Sequence, residues 1–388
     1  MSAIAYFDNA ATTPLDPAVA EAMGPYLGEC FGNPSSLHRA GREARAALEK
    51  ARRQVAELIK ADPDEILFTG GGTESDNLAL IGAFEAAGDG PFHLIASAIE
   101  HPALLATCRY LEKRGAQVSY LGVDRYGMVD PMELRIALRP ETKLVSVMAA
   151  NNVVGTIQPL AELIRITKDH GALFHTDAVQ AVGRLPFDLR NQAIDLLSFS
   201  SHKIYGPKGV GGLFVRKGVT LEPLLHGGGQ ESGRRSGTEN IAGIVGFGAA
   251  AAIAARGMTE EIARLVQWRE WISGGVKHRI PNSYLIGHPY QRLPGHIALG
   301  FDGQEGEAIK LLLSLDQYGF AVSSGSACSL SNDAGPSHVL QAMGFDPLKA
   351  RGGLRITLGR FNTTEEVERL LEVLPRAVAE LRPIASRL

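Results

Sequence analysis

Ser198-Phe199-Ser200-Ser201-His202-Lys203-Ile204-Tyr205-Gly206-Pro207-Lys208-Gly209 is the stretch on which the rest of the chain turns. The apolar run 194–199 reads as a strand that brings the backbone to a polar turn, and 210–215 reads as the strand that follows. Lys203 thus stands on a turn between two strands. Burial beside other groups lowers an amine's pKa toward neutrality and makes it a nucleophile able to form Schiff bases. A lone hairpin lysine is ordinarily only solvated. Its company decides otherwise.

Outward from that turn, strands and helices alternate. Residues 65–69 read as a strand, 70–75 as a glycine-rich turn and about 76–87 as a helix. Further strands fall at 92–98, 117–122, 144–149 and 172–175, with helices at 102–114, 131–138 and 160–170. Nearly continuous apolar strands separated by helices predict an α/β protein whose mostly parallel sheet is covered on both faces. Such sheets bind ligands at their strand C-termini. Thr73, His101, Asn152, Asp177, Gln180, Ser200, His202 and Lys203 gather there.

Each has a plainer reading. His101, before Pro102, caps a helix; Asp177 caps the next turn; His202 is a core histidine with both nitrogens satisfied. The turn Gly70-Gly71-Gly72-Thr73-Glu74-Ser75 is neither a Walker loop nor a dinucleotide fingerprint, although its amides are free to converge on an anion. Taken together, a carboxylate, an aromatic ring, an anion cradle and a Schiff-base lysine match pyridoxal 5'-phosphate. That cofactor needs an acid at its pyridine nitrogen, a face to stack on, donors for its phosphate and an amine at its aldehyde carbon.

With 388 residues the chain exceeds what one core usually organises, so two domains are expected. A net charge of −3 argues against nucleic acid or an anionic membrane as a partner. No uninterrupted apolar run reaches the roughly 18 residues of a spanning helix, and the N-terminus carries no basic region or apolar signal core. The odd number of cysteines forms no disulfide framework and suits a reducing, cytoplasmic setting. Metal-site spacing is absent.

The helix expected at 41–60 carries Arg52 and a Glu49/Arg53 pair on a solvated face. Two helices are expected at 241–255 and about 260–272, the second a passage between domains. Strands at 297–301 and 354–358, a helix at 306–315 and the capping box Thr363/Glu366 indicate a smaller α+β domain. The expected division is a large domain of 14–256 and a small one made of 1–13 and 257–388. Cys328 lies in a run of small polar residues, 323–336, that has little to bury it, which suggests use as a nucleophile. Cys30 and Cys108 read as structural.

These residues carry a resemblance to the cysteine desulfurases, pyridoxal-phosphate enzymes that take sulfur from L-cysteine and leave L-alanine. It rests on an ordered set running nearly end to end: Asp8-Asn9-Ala10-Ala11-Thr12-Thr13-Pro14, Gly32-Asn33-Pro34-Ser35-Ser36, Gly72-Thr73-Glu74-Ser75-Asp76-Asn77, Glu100-His101, His175-Thr176-Asp177-Ala178-Val179-Gln180, Ser201-His202-Lys203, Gly227-Gly228-Gly229-Gln230-Glu231, Arg235-Ser236-Gly237-Thr238 and Ser324-Gly325-Ser326-Ala327-Cys328. The resemblance implies a fold-type I homodimer. Lys203 would hold the cofactor, Asp177 its pyridine nitrogen, and His101 would stack on the ring, with Gln180 and Asn152 near the phenolic oxygen. Thr73, Ser200 and His202 would hold the phosphate, joined by Thr238 of the second subunit. Arg355 would clamp the substrate carboxylate, with Asn33 and Asn152 nearby. Cys328 would take the sulfur as a persulfide, His101 and Lys203 would carry protons, and an acceptor protein, an iron–sulfur scaffold or a thiolation protein, would receive the sulfur.

Selenocysteine lyase and cysteine-sulfinate desulfinase are the alternative enzymes, and a silent sulfur-acceptor docking partner the alternative from another class. Val153 and Ser232 stand where the family usually has an acidic and a basic residue, which predicts a lost ion pair with the two side chains in contact range, within or across subunits.

Overall fold

A computed structural model describes residues 4–324, 335–351 and 353–381. In chain order the strands are β1 (Ala5–Tyr6), β2 (Ile66–Thr69), β3 (His93–Ser97), β4 (Gln117–Leu121), β5 (Thr142–Ser146), β6 (Leu173–Asp177), β7 (Leu196–Ser200), β8 (Gly211–Val215), β9 (Ser283–Leu285), β10 (His296–Phe301), β11 (Phe320–Ala321), β12 (Ser323–Ser324) and β13 (Leu354–Thr357). Seven form one sheet in the order β2-β8-β7-β6-β5-β3-β4. From β7 to β4 all neighbours are parallel, while β8 runs antiparallel to both β7 and β2. This is the mostly parallel sheet the alternation predicts. Inside it β3, β7 and β8 are buried along their whole length, and β5 and β6 all but at Lys143 and Leu173, whereas β4, at the edge, leaves Gln117 and Tyr120 exposed.

Helices cover the sheet. Arg39–Leu58 turns Ala44, Leu48, Ala51 and Val55 inward at helical spacing. The helix Ile241–Arg279 packs against it so closely that a Cβ on Gly248 would meet the Ala51 Cα at 2.6 Å. Fully buried Leu48, Val55 and Phe247 join one apolar cluster, each such side chain contributing roughly 1.5–3 kcal/mol.

Two expectations fail here. The pair of helices expected at 241–255 and 260–272 is one helix of 39 residues, so residues 256 and 257 lie inside it. The interval Arg256-Gly257-Met258-Thr259 holds no proline, and one glycine costs only about 1 kcal/mol, too little to end a packed helix. By length and composition this helix would also pass for a membrane span, but half of its most apolar stretch is buried within the protein. The second failure is Arg52, which is not on a solvated face. It is buried, and Glu49 pairs with Arg45 and Arg52 rather than with Arg53.

The strands of the C-terminal third build a second, antiparallel sheet, β12-β13-β10-β9, beside the β1–β11 pair. A separate apolar cluster holds it to the helix Thr364–Ala379 and the far half of the long helix, with Phe7 and Phe320 stacked 5.8 Å apart. The Thr363/Glu366 capping box is formed as expected. Short elements escape the periodicity argument: Pro17–Met23, β9 and His338–Ala342 are too brief for a period to register.

Candidate active site

The strand ends converge. β6 ends at Asp177, and β7 ends at Ser200, followed by the single 3₁₀ turn Ser201–Lys203. The helix Gly72–Ala86 begins four residues earlier than its apolar pattern suggests, because Gly71 at φ 151° serves as its N-cap. Thr73 and Asp76 therefore share one face of its first turns. A cavity of about 470 Å³ opens over these ends. Its floor is Gly72, Thr73, Asp76, His101, Asp177, Gln180, Ser200, His202 and Lys203. Ala10, Ala11, Asn152 and Arg355 form one wall, and Pro336, Ser337 and His338 another.

Nine of the twelve residues singled out from the sequence line this one cleft: Thr73, His101, Asn152, Asp177, Gln180, Ser200, His202, Lys203 and Arg355. Asn33 and Thr238 are exposed and lie outside it. Cys328 lies outside the described residues.

The plainer readings also hold, without displacing the functional ones. His101 caps the helix Pro102–Lys113, its Nδ1 accepting from the Ala103 amide at 3.1 Å, and Asp177 caps its turn by accepting from the Val179 amide at 2.9 Å. The core histidine with both nitrogens satisfied is His175 rather than His202. It meets Ser146 Oγ at 2.8 Å and Ser198 Oγ at 2.9 Å, and burial pushes its pKa down to about 3.

Lys203 Nζ donates to the carbonyls of Ala10 and Ala11 at 2.6 and 2.7 Å. Burial, with the nearby cations Arg184 and Arg355, pulls its pKa down to about 7, which leaves a large share of free amine near neutrality. His202, whose Nδ1 lies 3.0 Å from Thr12 Oγ1, is held down to about 4 by burial and by Lys203. Burial likewise keeps the His101 ring below its ordinary value. Asp177 is raised by burial, against the pull of the Val179 amide and of His101 and Lys203. Arg355 donates from Nη1 to the Asn152 carbonyl at 2.9 Å and from Nη2 to Asp8 at 2.8 Å.

Sequence reasoning missed Asp76, Asp8 and Arg184. Asp76 is almost fully buried, lines the cleft, and has its Oδ1 without a hydrogen-bond partner among the described residues. Its spacing of three from Thr73 was the available signal. Arg184, four residues after Gln180, donates to Gln180 Oε1 at 3.2 Å and to the Asn9 carbonyl. Val153 sits in an apolar cluster with Ile99, Met148 and Ala298, whereas Ser232 is exposed in the glycine loop.

The residues present fit pyridoxal 5'-phosphate. Buried acids, one with an orphaned oxygen, stand at one end, and Ser200, Thr73 and His202 offer polar groups at the other. The glycine turn keeps that end open, since a Cβ on Gly72 would meet Val179 at 2.7 Å. A second opening beside it is lined by Gly70, Gly71, Thr73, Ser200, His202 and Lys208, a set suited to an anion.

Comparison with known proteins agrees with this geometry. The family model described as aminotransferase class-V matches residues 5–370. A cysteine desulfurase IscS from Dictyoglomus turgidum is 50% identical over 380 residues, 98% of this chain and 96% of that protein. Another, from Methanosarcina thermophila, is 49% identical over 377 residues, 97% of this chain and 92% of that one. A solved structure described as a NifS-like protein superposes with a TM-score of 0.91 at 40% identity, covering 97% of this chain and all of that chain.

Proposed function

The chain belongs to the cysteine desulfurases within the class-V aminotransferases, and from that premise we propose how its cleft works and which residues carry the reaction. It is a pyridoxal-phosphate-dependent enzyme that converts L-cysteine to L-alanine. In the balanced step we assign to it, L-cysteine and the Cys328 thiol give L-alanine and a Cys328 persulfide. The sulfur then passes to an acceptor.

Bound pyridoxal 5'-phosphate supplies an aldehyde that condenses with amines and a ring that takes up the electron pair released at the substrate Cα. The chain's own residues do the rest. Lys203 would hold the cofactor, and as the free amine its lowered pKa suits it to give and take a proton near neutral pH. Asp177, a buried acid in the cleft, would pair with the pyridine nitrogen. His101 would stack on the ring; with Nδ1 occupied by the Ala103 amide, its Nε2 is the nitrogen left for proton transfer. Gln180 and Asn152 would lie by the phenolic oxygen, and Thr73, Ser200 and His202 would take the phosphate. Arg355, with Asn152 beside it, receives the substrate carboxylate.

Thr238 completes the phosphate site only if a second copy brings it, so the proposal includes a homodimer, while Asn33 is kept as a residue near the substrate carboxylate. Leu27, Phe31 and Leu37, respectively 74%, 82% and 90% exposed within one short segment next to Asn33, supply an apolar surface for it. The division into 14–256 and 1–13 with 257–388 is part of the same reading, supported by the separate apolar clusters. So are a cytoplasmic location and an iron–sulfur scaffold or thiolation protein as acceptor.

The observation that carries the assignment of roles is Lys203 at the end of β7, in one cleft with Asp177, His101 and Arg355. The test is incubation of the holoenzyme with L-cysteine and reductant, assaying alanine and sulfide together. Equal yields are expected from the wild type and almost none from Cys328→Ala. Normal alanine production by Cys328→Ala would hand the reaction to a selenocysteine-lyase-type mechanism.

A further inference from the structure

The guanidinium of Arg355 is 3% exposed, yet its hydrogen bonding is incomplete. Nη1 is used by the Asn152 carbonyl and Nη2 by Asp8, while Nε is buried without a partner among the described residues. A buried cation in that state is one acceptor short, and the side of it that lines the cleft is where a further anion can meet it. Asp8 is already there. It bridges to Thr357 on the strand that carries Arg355, and its side chain is 19% exposed.

One carboxylate already neutralises this guanidinium. A second one arriving alone would put two anions on one cation in a place with little water, which the Coulomb term penalises. A zwitterion brings its own cation with its carboxylate and adds no net charge. Without Asp8, Arg355 would instead be an unpaired buried cation that takes any carboxylate offered.

Resting on the assignment of Arg355 as the substrate-carboxylate clamp, we propose that Asp8, through its contact with Arg355 Nη2, is a specificity-determining residue: it keeps the cleft closed to carboxylates that lack an α-amino group. The side of the guanidinium that lines the cleft is what remains for an amino acid's carboxylate. Asp8 thus acts through Arg355 and is a positioning residue, not a catalytic one.

The matched probes are 3-mercaptopropionate, which is cysteine without its amino group, and its uncharged amide. Their binding to the holoenzyme is measured by calorimetry for the wild type, Asp8→Asn and Asp8→Glu. Asp8→Asn is expected to bind 3-mercaptopropionate about tenfold more tightly than the wild type, with the amide changed less than about twofold. Asp8→Glu, which keeps the charge, should behave as the wild type. Equal affinity of the wild type and Asp8→Asn for the acid overturns the proposal, as does an equal shift for acid and amide, which would mean only a loosened site. Asp8→Ser replaces Asp8→Asn if that variant does not fold. Alanine formation from L-cysteine by the wild type is run on the same preparation. Its failure would remove the functional reading itself, whereas turnover with no change in probe affinity would remove only the role of Asp8.

Discussion

Glu231, in the glycine loop, and Glu100, behind the cleft, are both buried carboxyls, and their surroundings differ in kind. Glu231 is clamped. Arg52 donates to it from both terminal nitrogens at 2.8 and 2.7 Å, and the Phe68 amide adds a third bond at 3.0 Å. Glu100 has no cation paired with it among the described residues. One oxygen accepts from Ser97 Oγ at 2.5 Å and from the Met148 amide at 2.8 Å, while the other has no partner among the described residues, and burial raises its pKa to about 8. Asp76 and Asp177, around the same cleft, are raised by burial too. Where a loop only has to be held, every charge is matched. Where a ligand is to arrive, acids stay unmatched and carry the desolvation cost until it does.

The largest effect should come from breaking the unmatched side at the member nearest the proposed ring nitrogen. Asp177→Ala removes the only anion assigned there, and alanine formation from L-cysteine should fall by about 10³- to 10⁴-fold. A loss under tenfold, with the cofactor's visible band intact, would mean that Asp76 or Glu100 serves that nitrogen instead.

Residue chemistry at strand ends was legible because two regularities coincide: apolar strands of 4–6 residues and polar residues at their C-termini. That is why β3, β6 and β7 and the residues after them were found. Arg52 was not legible, since its partner Glu231 lies 179 residues away and a helix-face argument sees only neighbours three and four apart. Asp8 and Arg355, 347 apart, are the same case. The continuous helix Ile241–Arg279 was hidden by a polar, glycine-containing interval that reads as a break until its packing is known. His101 and Asp177 teach a different point. Capping and ligand binding use different atoms of one side chain, so the plain reading never competed with the functional one.

On the matched side, Glu231→Ala leaves the buried Arg52 with only Glu49, at 3.3 Å, as counter-charge, and unfolding in urea should show a loss of up to about 3–5 kcal/mol. The loop is also strained, with Glu231 at φ 48° and Ser232 at φ 58°, which the clamp offsets. Replacing both partners by apolar residues, Arg52→Met with Glu231→Leu, should recover most of the loss. If the double variant is as unstable as the single one, then the Phe68 amide and the loop geometry, rather than the charge pair, are what matter.

The smallest effect sharpens the contrast through pH. Glu100 has its pKa raised from 4.5 to about 8 in the fold. Below 4.5 it is protonated in both the folded and the unfolded chain, and its contribution to stability is complete. Between 4.5 and 8 the unfolded chain has lost the proton and the folded one keeps it, so stability declines as pH rises, by at most about 1.4 kcal/mol per pH unit. Above 8 both states are charged and the decline stops. Glu100→Gln copies the neutral acid and keeps an acceptor for Ser97 and the Met148 amide. The variant should therefore match the wild type near pH 4.5 and exceed it increasingly toward pH 8, the difference being read from paired urea unfolding curves. A constant difference across that window would show that Glu100 is not the group that titrates, and a variant less stable at every pH would show that the second oxygen has a partner only a carboxylate satisfies.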